Sequence, residues 1–365
     1  MRRRLLDSGV DLSAVPAFEA LARSAVREVA PLLGGPDLDR AVQRIVADVV
    51  GFGPLDELLA SAAITEVMVN GPGPVWVEVE GRLRRTDVVI ERRQIDWLIE
   101  RIVAPLGRRV DLTSPVVDAR LPDGSRVNVV VPPLAVDGPY VTVRRFGATD
   151  VPLDAFCCPE VASLLARAVR ERANLIVSGG TGAGKTTLLN ALAAHIDRGE
   201  RVVTVEDAAE LRLPGDHVVR LEARPSSVDG IGEVRIRDLV RNALRMRPDR
   251  IIVGECRGPE ALDVLWAMNT GHEGSLSTCH ANGCADALRR LEAMVLMDAA
   301  HWPLRAVREH VDAAVDLVVH VERHASGERR IAAVAQVTGA TPRLRPVATA
   351  STVHHRPSAW RGQGS

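Results

Sequence analysis

The sequence places Gly179, Gly180, Gly182 and Gly184 within six residues and follows them with Lys185, Thr186 and Thr187. Those types at that spacing, G-x-x-x-x-G-K-T, are what a bound phosphate chain requires. Glycines let successive backbone N–H groups turn inward and approach phosphate oxygens with no Cβ in the way. The lysine adds a mobile cation for the β- and γ-phosphates, and a threonine hydroxyl can ligate Mg²⁺. Thr181 and Ala183 complete the loop. Composition points the same way: of the 46 basic residues one is lysine, and it is Lys185. A compact ammonium fits a tight phosphate loop where a planar guanidinium does not. The expected ligands are therefore ATP and Mg²⁺.

Two later stretches supply carboxylates. VVTVEDAAEL carries Glu206, Asp207 and Glu210, and RIIVGE ends in Glu255, followed by Cys256 and Arg257. In open parallel sheets ligands sit at the carboxyl ends of strands, where such acids orient water or hold Mg²⁺. Glu206 and Glu210 both stand as the general base, and Glu255 joins Thr186 as a metal ligand. His272 and His280, in TGHEGSLSTCHAN, flank a short polar strand. An imidazole there could hydrogen-bond the γ-phosphate or bridge to a neighbouring subunit. Upstream, Arg120, Arg126, Arg144 and Arg145 lie in or beside expected strands. A guanidinium stabilises charge on a transferring phosphoryl group, so these arginines are expected to face the loop across a domain cleft.

The elements that must position these groups follow from periodicity. Residues 174–178 are a short apolar, β-branched run that reads as a buried strand, and the apolar pattern after Lys185 reads as a helix. The helix start aims its positive dipole end at the same anions. Residues 202–206, 217–221 and 251–255 read as further strands, with helices over 158–172, 235–246, 259–270, 286–297 and 303–314. Alternating strands and helices predict an α/β fold with a largely parallel sheet covered on both faces. Residues 317–322 and 330–337 read as a late hairpin, and 341–365, rich in Pro, Thr, Ser, Arg and His, as a disordered tail. Before all this, 1–50 read as a helical segment and 51–146 as a small α+β domain. That domain has strands at 64–70, 75–80, 83–89, 116–121, 126–131 and 140–146, and a helix over 91–106. Residues 147–153 read as a linker, so the loop-bearing domain runs over 154–340.

Composition narrows the classes. The chain has 365 residues, 46% hydrophobic and 25% charged, enough for two or three domains with sizeable cores. With five Trp, four Phe and one Tyr, those cores must be built from aliphatic residues. A formal charge of −1 gives no global basic field, so direct nucleic-acid binding is not expected. Five cysteines without a paired framework fit a reducing compartment. Cys279, His280 and Cys284 lack the second pair a zinc site needs. No stretch approaches 18 apolar residues and the start has no apolar signal core, so the expected location is cytoplasmic.

In order, GGTGAGKTT, TVEDAAEL, RIIVGECRGPEAL and NTGHEGSLSTCHAN resemble the Walker A, Asp box, Walker B and His box of the type II/type IV secretion ATPase superfamily. Upstream, GFGPLDELL, ITEVMVNGP, PVVDARLPDGSRVNVVVPPL and GPYVTVRRF resemble its tight-adherence (Tad) pilus branch, over about residues 45 to 322. The resemblance implies a PAS-like domain over 51–146, a RecA-like P-loop ATPase domain over 154–340 and a homohexameric ring. It implies ATP between the two domains, with Arg126 and Arg144 at the motif positions that reach nucleotide and Arg120 and Arg145 as lesser candidates. It places the catalytic carboxylate in the Asp box, with Glu255 supporting Mg²⁺. The implied function is an ATP-hydrolysing motor for pilus assembly or secretion, acting on inner-membrane platform proteins at the cytoplasmic face. A conjugation-associated secretion ATPase and a low-turnover regulatory or scaffold subunit are the other readings. The intact Lys185, Thr186, Glu206, Glu210 and Glu255 speak against the last.

Overall fold

Phe18, Ala22 and Val26 form one stripe along helix α1 (Val15–Val29), and Leu38, Val42 and Val49 one along α2 (Gly35–Val49). The two stripes close on each other as a small core of their own. The structure is a computed structural model. It describes residues 15–79, 81–106, 109–121, 123–145, 151–224, 232–324, 326–341, 343–355 and 357, so the first fourteen residues of the expected helical segment lie outside it. The chain divides into two units, Met1–Phe146 and Gly147–Ser365.

In the first unit, short α3 (Asp56–Ala60) precedes β1 (Ile64–Asn70), β2 (Gly73–Val79) and β3 (Arg82–Ile90). Helix α4 (Arg92–Val103) follows, begun by Gln94 reaching back to the backbone N–H of Glu91 at 2.8 Å. Strands β4 (Val116–Arg120), β5 (Arg126–Val130) and β6 (Tyr140–Arg144) complete an antiparallel sheet in the order β3-β2-β1-β6-β5-β4. Period-two alternation sends Val67, Val69, Val127, Val129, Val141 and Val143 to one face. There they meet Ile95, Leu98, Ile99 and Ile102 of α4. Arg101 of α4 donates to the carbonyl oxygens of Val49, at 2.6 Å, and Val50, tying down the end of α2.

The second unit opens with α5 (Pro159–Arg170), β7 (Leu175–Gly179), α6 (Lys185–Ala193), β8 (Val202–Glu206) and β9 (Val218–Glu222). Then come α7 (Ile236–Ala243), β10 (Arg250–Cys256), α8 (Glu260–Asn269), β11 (Leu276–His280), α9 (Cys284–Asp298) and α10 (Leu304–Ala314). Strands β12 (Leu317–Arg323), β13 (Arg329–Val337), β14 (Leu344–Thr349) and β15 (Thr352–Val353) end it. The nine strands run β15-β14-β13-β12-β7-β11-β10-β8-β9, parallel from β12 to β9 and antiparallel beyond β12. Helices α5 and α6 pack one face and α7 to α10 the other, giving two aliphatic cores.

The expected disordered tail is corrected. Residues 344–353 form β14 and β15, with Val337 opposite Leu344 in the ladder. Val347 and Ala348 are buried in the same core as α5 and α6, so apolar burial outweighs the polar composition of the stretch. Residues 358–365 lie outside the description, as do 147–150 of the expected linker. The end of that linker is not free chain either, since Leu153 is buried in the core.

Candidate nucleotide site

Parallel register gathers the expected site residues at one edge of the larger sheet. Gly179 pairs with His280, Ser178 with Cys279, Cys256 with Cys279, and Val205 with Val253. The carboxyl ends of β7, β11, β10 and β8 therefore share an edge, and Gly179, His280, Glu255 and Glu206 sit on it. The loop itself needs its glycines. Gly182 and Gly184 have φ of +71° and +96°, which side-chain-bearing residues rarely adopt. A Cβ on Gly179 would come within 2.4 Å of the Val321 carbonyl oxygen.

Lys185, the first residue of α6, donates from Nζ to the Gly180 carbonyl at 3.2 Å and stands 3.7 Å from Glu255 Oε1. Burial lowers its pKa below the usual lysine value, against the raising pull of Glu255. Arg257 joins the acids, with Nε donating to Glu255 at 2.7 Å and Nη1 to Asp207 at 3.2 Å. Thr186 and Thr187 follow Lys185 in the first turn of α6. A threonine hydroxyl, a carboxylate and phosphate oxygens are hard oxygen donors of the kind Mg²⁺ takes, and Thr186 with Glu255 fits that set.

The two carboxylates of the VEDAAE stretch have different surroundings. Glu206 is 3% exposed, and its Oε1 accepts from the backbone N–H groups of Glu210, at 2.9 Å, and Leu211, at 3.0 Å. Burial pushes its carboxyl up to about 7, and its Oε2 is buried without a hydrogen-bond partner. A Cβ on Gly254 would approach Glu206 Cγ to 2.9 Å, so the glycine before Glu255 makes room for this side chain. Glu206 thus folds the turn after β8, and Glu210 is presented half-buried on that turn. Asn190 of α6 fixes the same segment by accepting from the Arg212 N–H at 3.0 Å.

The two histidines are separated. His280 ends β11 beside the loop strand, whereas His272 precedes β11 at the amino-terminal edge of the sheet. Near it, Gly274 N–H donates to Asn174, the residue before β7, at 2.8 Å. A full strand length therefore lies between the two histidines, which flank β11 as their spacing in the sequence indicates. Among the described residues no three His, Cys, Asp or Glu could hold a metal, and burial pushes the Cys279 and Cys284 thiols up to about 11.

In the first unit the arginines are ordered by register. Arg120 pairs with Arg126, Arg126 with Arg144, and Arg144 with Glu66, all on the face away from the valine core. Arg144 Nε is 3.6 Å from Glu66 Oε1, and burial raises the Glu66 pKa despite that neighbour. Arg145 points elsewhere, donating to the carbonyls of Ser61 and Ile64, and holds backbone together.

One chain of contacts, running from buried Ser178 and His320 out to exposed Glu322, belongs to no motif. Ser178 Oγ lies 2.9 Å from His320 Nδ1, and His320 Nε2 lies 3.1 Å from Glu322 Oε1. Ser178 and His320 face each other on β7 and β12, directly beneath the phosphate loop. Only strand pairing reveals it, since 142 residues separate the serine and the histidine.

The model of the family described as type II/IV secretion system protein matches residues 48–360. The chain belongs to this family. Within it, the chain is 38% identical over 328 residues to a putative conjugal transfer protein of Mycobacterium tuberculosis, covering 87% of this chain and 93% of that one. It is 34% identical over 290 residues to the conjugal transfer protein TrbB of Rhizobium radiobacter, covering 77% and 86%. Among solved structures, the Legionella pneumophila ATPase DotB is similar in fold, at a TM-score of 0.55 and 24% identity over 76% of this chain and 77% of that one. Among the described residues no helix is long and apolar enough to cross a membrane.

Proposed function

We propose that this member of the family is an ATP-hydrolysing motor for secretion or for assembly of Tad-type pili. The observation that carries the reading is the cluster at the sheet edge: Lys185 against Glu255, with Glu206 and Glu210 on the next strand end. The loop amides and Lys185 hold the phosphates, and Thr186 with Glu255 would hold Mg²⁺. The metal supplies charge neutralisation at the β- and γ-phosphates. Glu210 orients and deprotonates the attacking water, while Glu206, spent on two backbone N–H groups, shapes the turn that presents it. His280 is placed to hydrogen-bond the γ-phosphate side. Arg126 and Arg144, with Arg120 beside them, act on developing phosphoryl charge.

The further reading has a PAS-like fold for the first unit and a RecA-like fold for the second. The working form is a homohexamer at the cytoplasmic face of the inner membrane, acting on platform proteins. A conjugation-associated motor is the second reading, favoured by the naming of the two bacterial relatives as conjugal transfer proteins. It shares every catalytic residue and differs in partner. The test is phosphate release by the purified chain with Mg²⁺ and ATP, alongside light scattering. ATP-dependent release from a six-subunit species supports the motor. A monomer without turnover contradicts it, and the membrane partner recovered by pulldown separates pilus from conjugation machinery.

A further inference from the structure

The β12–β13 hairpin brings two arginines against the phosphate loop that no motif includes. Arg323 ends β12, Arg329 opens β13, and they are direct cross-strand partners. A Cβ on Gly184 would lie 2.6 Å from Cδ and 3.3 Å from Nε of Arg329, and one on Gly182 would lie 3.7 Å from Nη1 of Arg323. Both arginines are half-buried, whereas the next residue, Arg330, is exposed and pairs with Glu328 at 2.8 Å. Alternation along β13 accounts for the difference, sending neighbouring side chains to opposite faces. Arg323 Nε donates to the Gly327 carbonyl at 3.4 Å, which lays its stem along the hairpin turn.

Sheet order gives the pair its meaning. Strand β12 flanks β7 on one side, and β11, β10 and β8 follow on the other. The acids Glu255, Glu206 and Asp207 therefore lie on one flank of the loop, and Arg323 with Arg329 on the opposite flank. In a phosphate loop, the late amides and helix start hold the α- and β-phosphates, while the lysine and metal ligands serve the β–γ end. Gly182 and Gly184 are late-loop residues, and it is these that the two arginines abut.

We propose that Arg323 and Arg329 bind the α- and β-phosphates of the nucleotide, the part common to ATP and ADP. They set nucleotide affinity, and the rate of hydrolysis is left to the acid flank. The inference rests on the reading of the loop as a nucleotide site. A contact made equally in the ground and transition states lowers KM without raising kcat. Gly184 then has two duties, a left-handed backbone and room for the Arg329 stem.

The test is titration of a fluorescent ADP analogue together with steady-state ATP hydrolysis, on the full chain. The proteins are wild type, Arg323→Ala, Arg329→Ala, Arg329→Lys and, as the loop control, Lys185→Ala. Loss of a charge-assisted contact should raise Kd for ADP and KM for ATP about ten-fold each. The same variants should keep kcat within about two-fold. Arg329→Lys keeps the charge and should recover part of the affinity, which also guards against an alanine variant that fails to fold. A fall in kcat at unchanged ADP affinity overturns the assignment, as does an unchanged Kd and KM in every arginine variant. If wild type and Lys185→Ala alike bind no ADP, the loop reading itself fails and the assignment falls with it; normal wild-type binding confines any failure to the arginines.

Discussion

Lys185 Nζ stands 3.7 Å from Glu255 Oε1, joining the start of α6 to the end of β10 across the mouth of the phosphate loop. The pair sets an ammonium and a carboxylate where a phosphate chain and its metal would enter. Glu255 also receives Arg257, so its charge is shared by two cations. A neutral amide at 255 keeps the shape and loses that charge. Glu255→Gln should bind ATP with near wild-type affinity and hydrolyse it about 10²-fold more slowly or worse. Nucleotide titration beside phosphate release checks this, and an unchanged rate would reduce Glu255 to a structural acid.

Glu206 makes a prediction about pH. Burial raises its folded pKa to about 7 from the ordinary glutamate value of about 4.5. Between those values the folded state holds a proton that the unfolded chain has lost, so stability falls as pH rises through this window. Below about 4.5 both states are protonated and the penalty is absent. Glu206→Gln mimics the protonated form and still accepts from Glu210 and Leu211. It should shrink the stability difference between pH 5 and pH 8 by roughly 2–4 kcal/mol. Urea melts at the two pH values read this directly; an equal difference in both proteins would contradict it.

Arg126 and Arg144 are neighbours by strand register, and Glu66 partly neutralises the second. If they act on phosphoryl charge, alanine at either should lower kcat about 10-fold to 10²-fold. The first unit should keep its melting temperature, because both side chains lie on the face away from the valine core. Lysine at 144 should restore little, lacking the planar fork. Turnover within two-fold of wild type in both alanine variants would remove the arginines from the mechanism.

The Ser178–His320 contact predicts coupling across the sheet. His320→Leu strands a fully buried hydroxyl and should cost about 1–3 kcal/mol. Adding Ser178→Ala removes the stranded group, so the double variant should be destabilised by less than the sum of the single ones. A double-mutant cycle from chemical denaturation measures this, and strict additivity would show that the 2.9 Å contact carries no energy.

Much of this site was legible in order along the chain. Gly179 to Thr187, Glu206, Glu210 and Glu255 announce themselves because each strand end carries its own motif. The six strands of the first unit were legible from period-two alternation, as in ITEVMVN. What was not legible depends on strand order. No local pattern says that β12 lies beside β7, and so neither the Ser178–His320 contact nor the approach of Arg323 and Arg329 could be read from spacing. The different surroundings of Glu206 and Glu210 were not legible, because both acids lie in one short stretch and the backbone bonds to Glu206 arise only in the fold. That His272 and His280 flank one strand was legible, but which edge of the sheet each reaches depends on the parallel pairing of β11 with β7. The segment 344–353 was misread because Arg345, Pro346 and its Thr and Ser residues hid the buried Val347 and Ala348.

The central claim is that the loop around Lys185 hydrolyses nucleotide, and the most direct measurement is steady-state phosphate release from Mg²⁺-ATP by wild type and Lys185→Ala side by side. Without the ammonium nothing else in the loop side chains offsets the β- and γ-phosphate charge. Release should be ATP-dependent in wild type and fall about 10²-fold or more in the variant. Equal release by the two proteins would contradict the account.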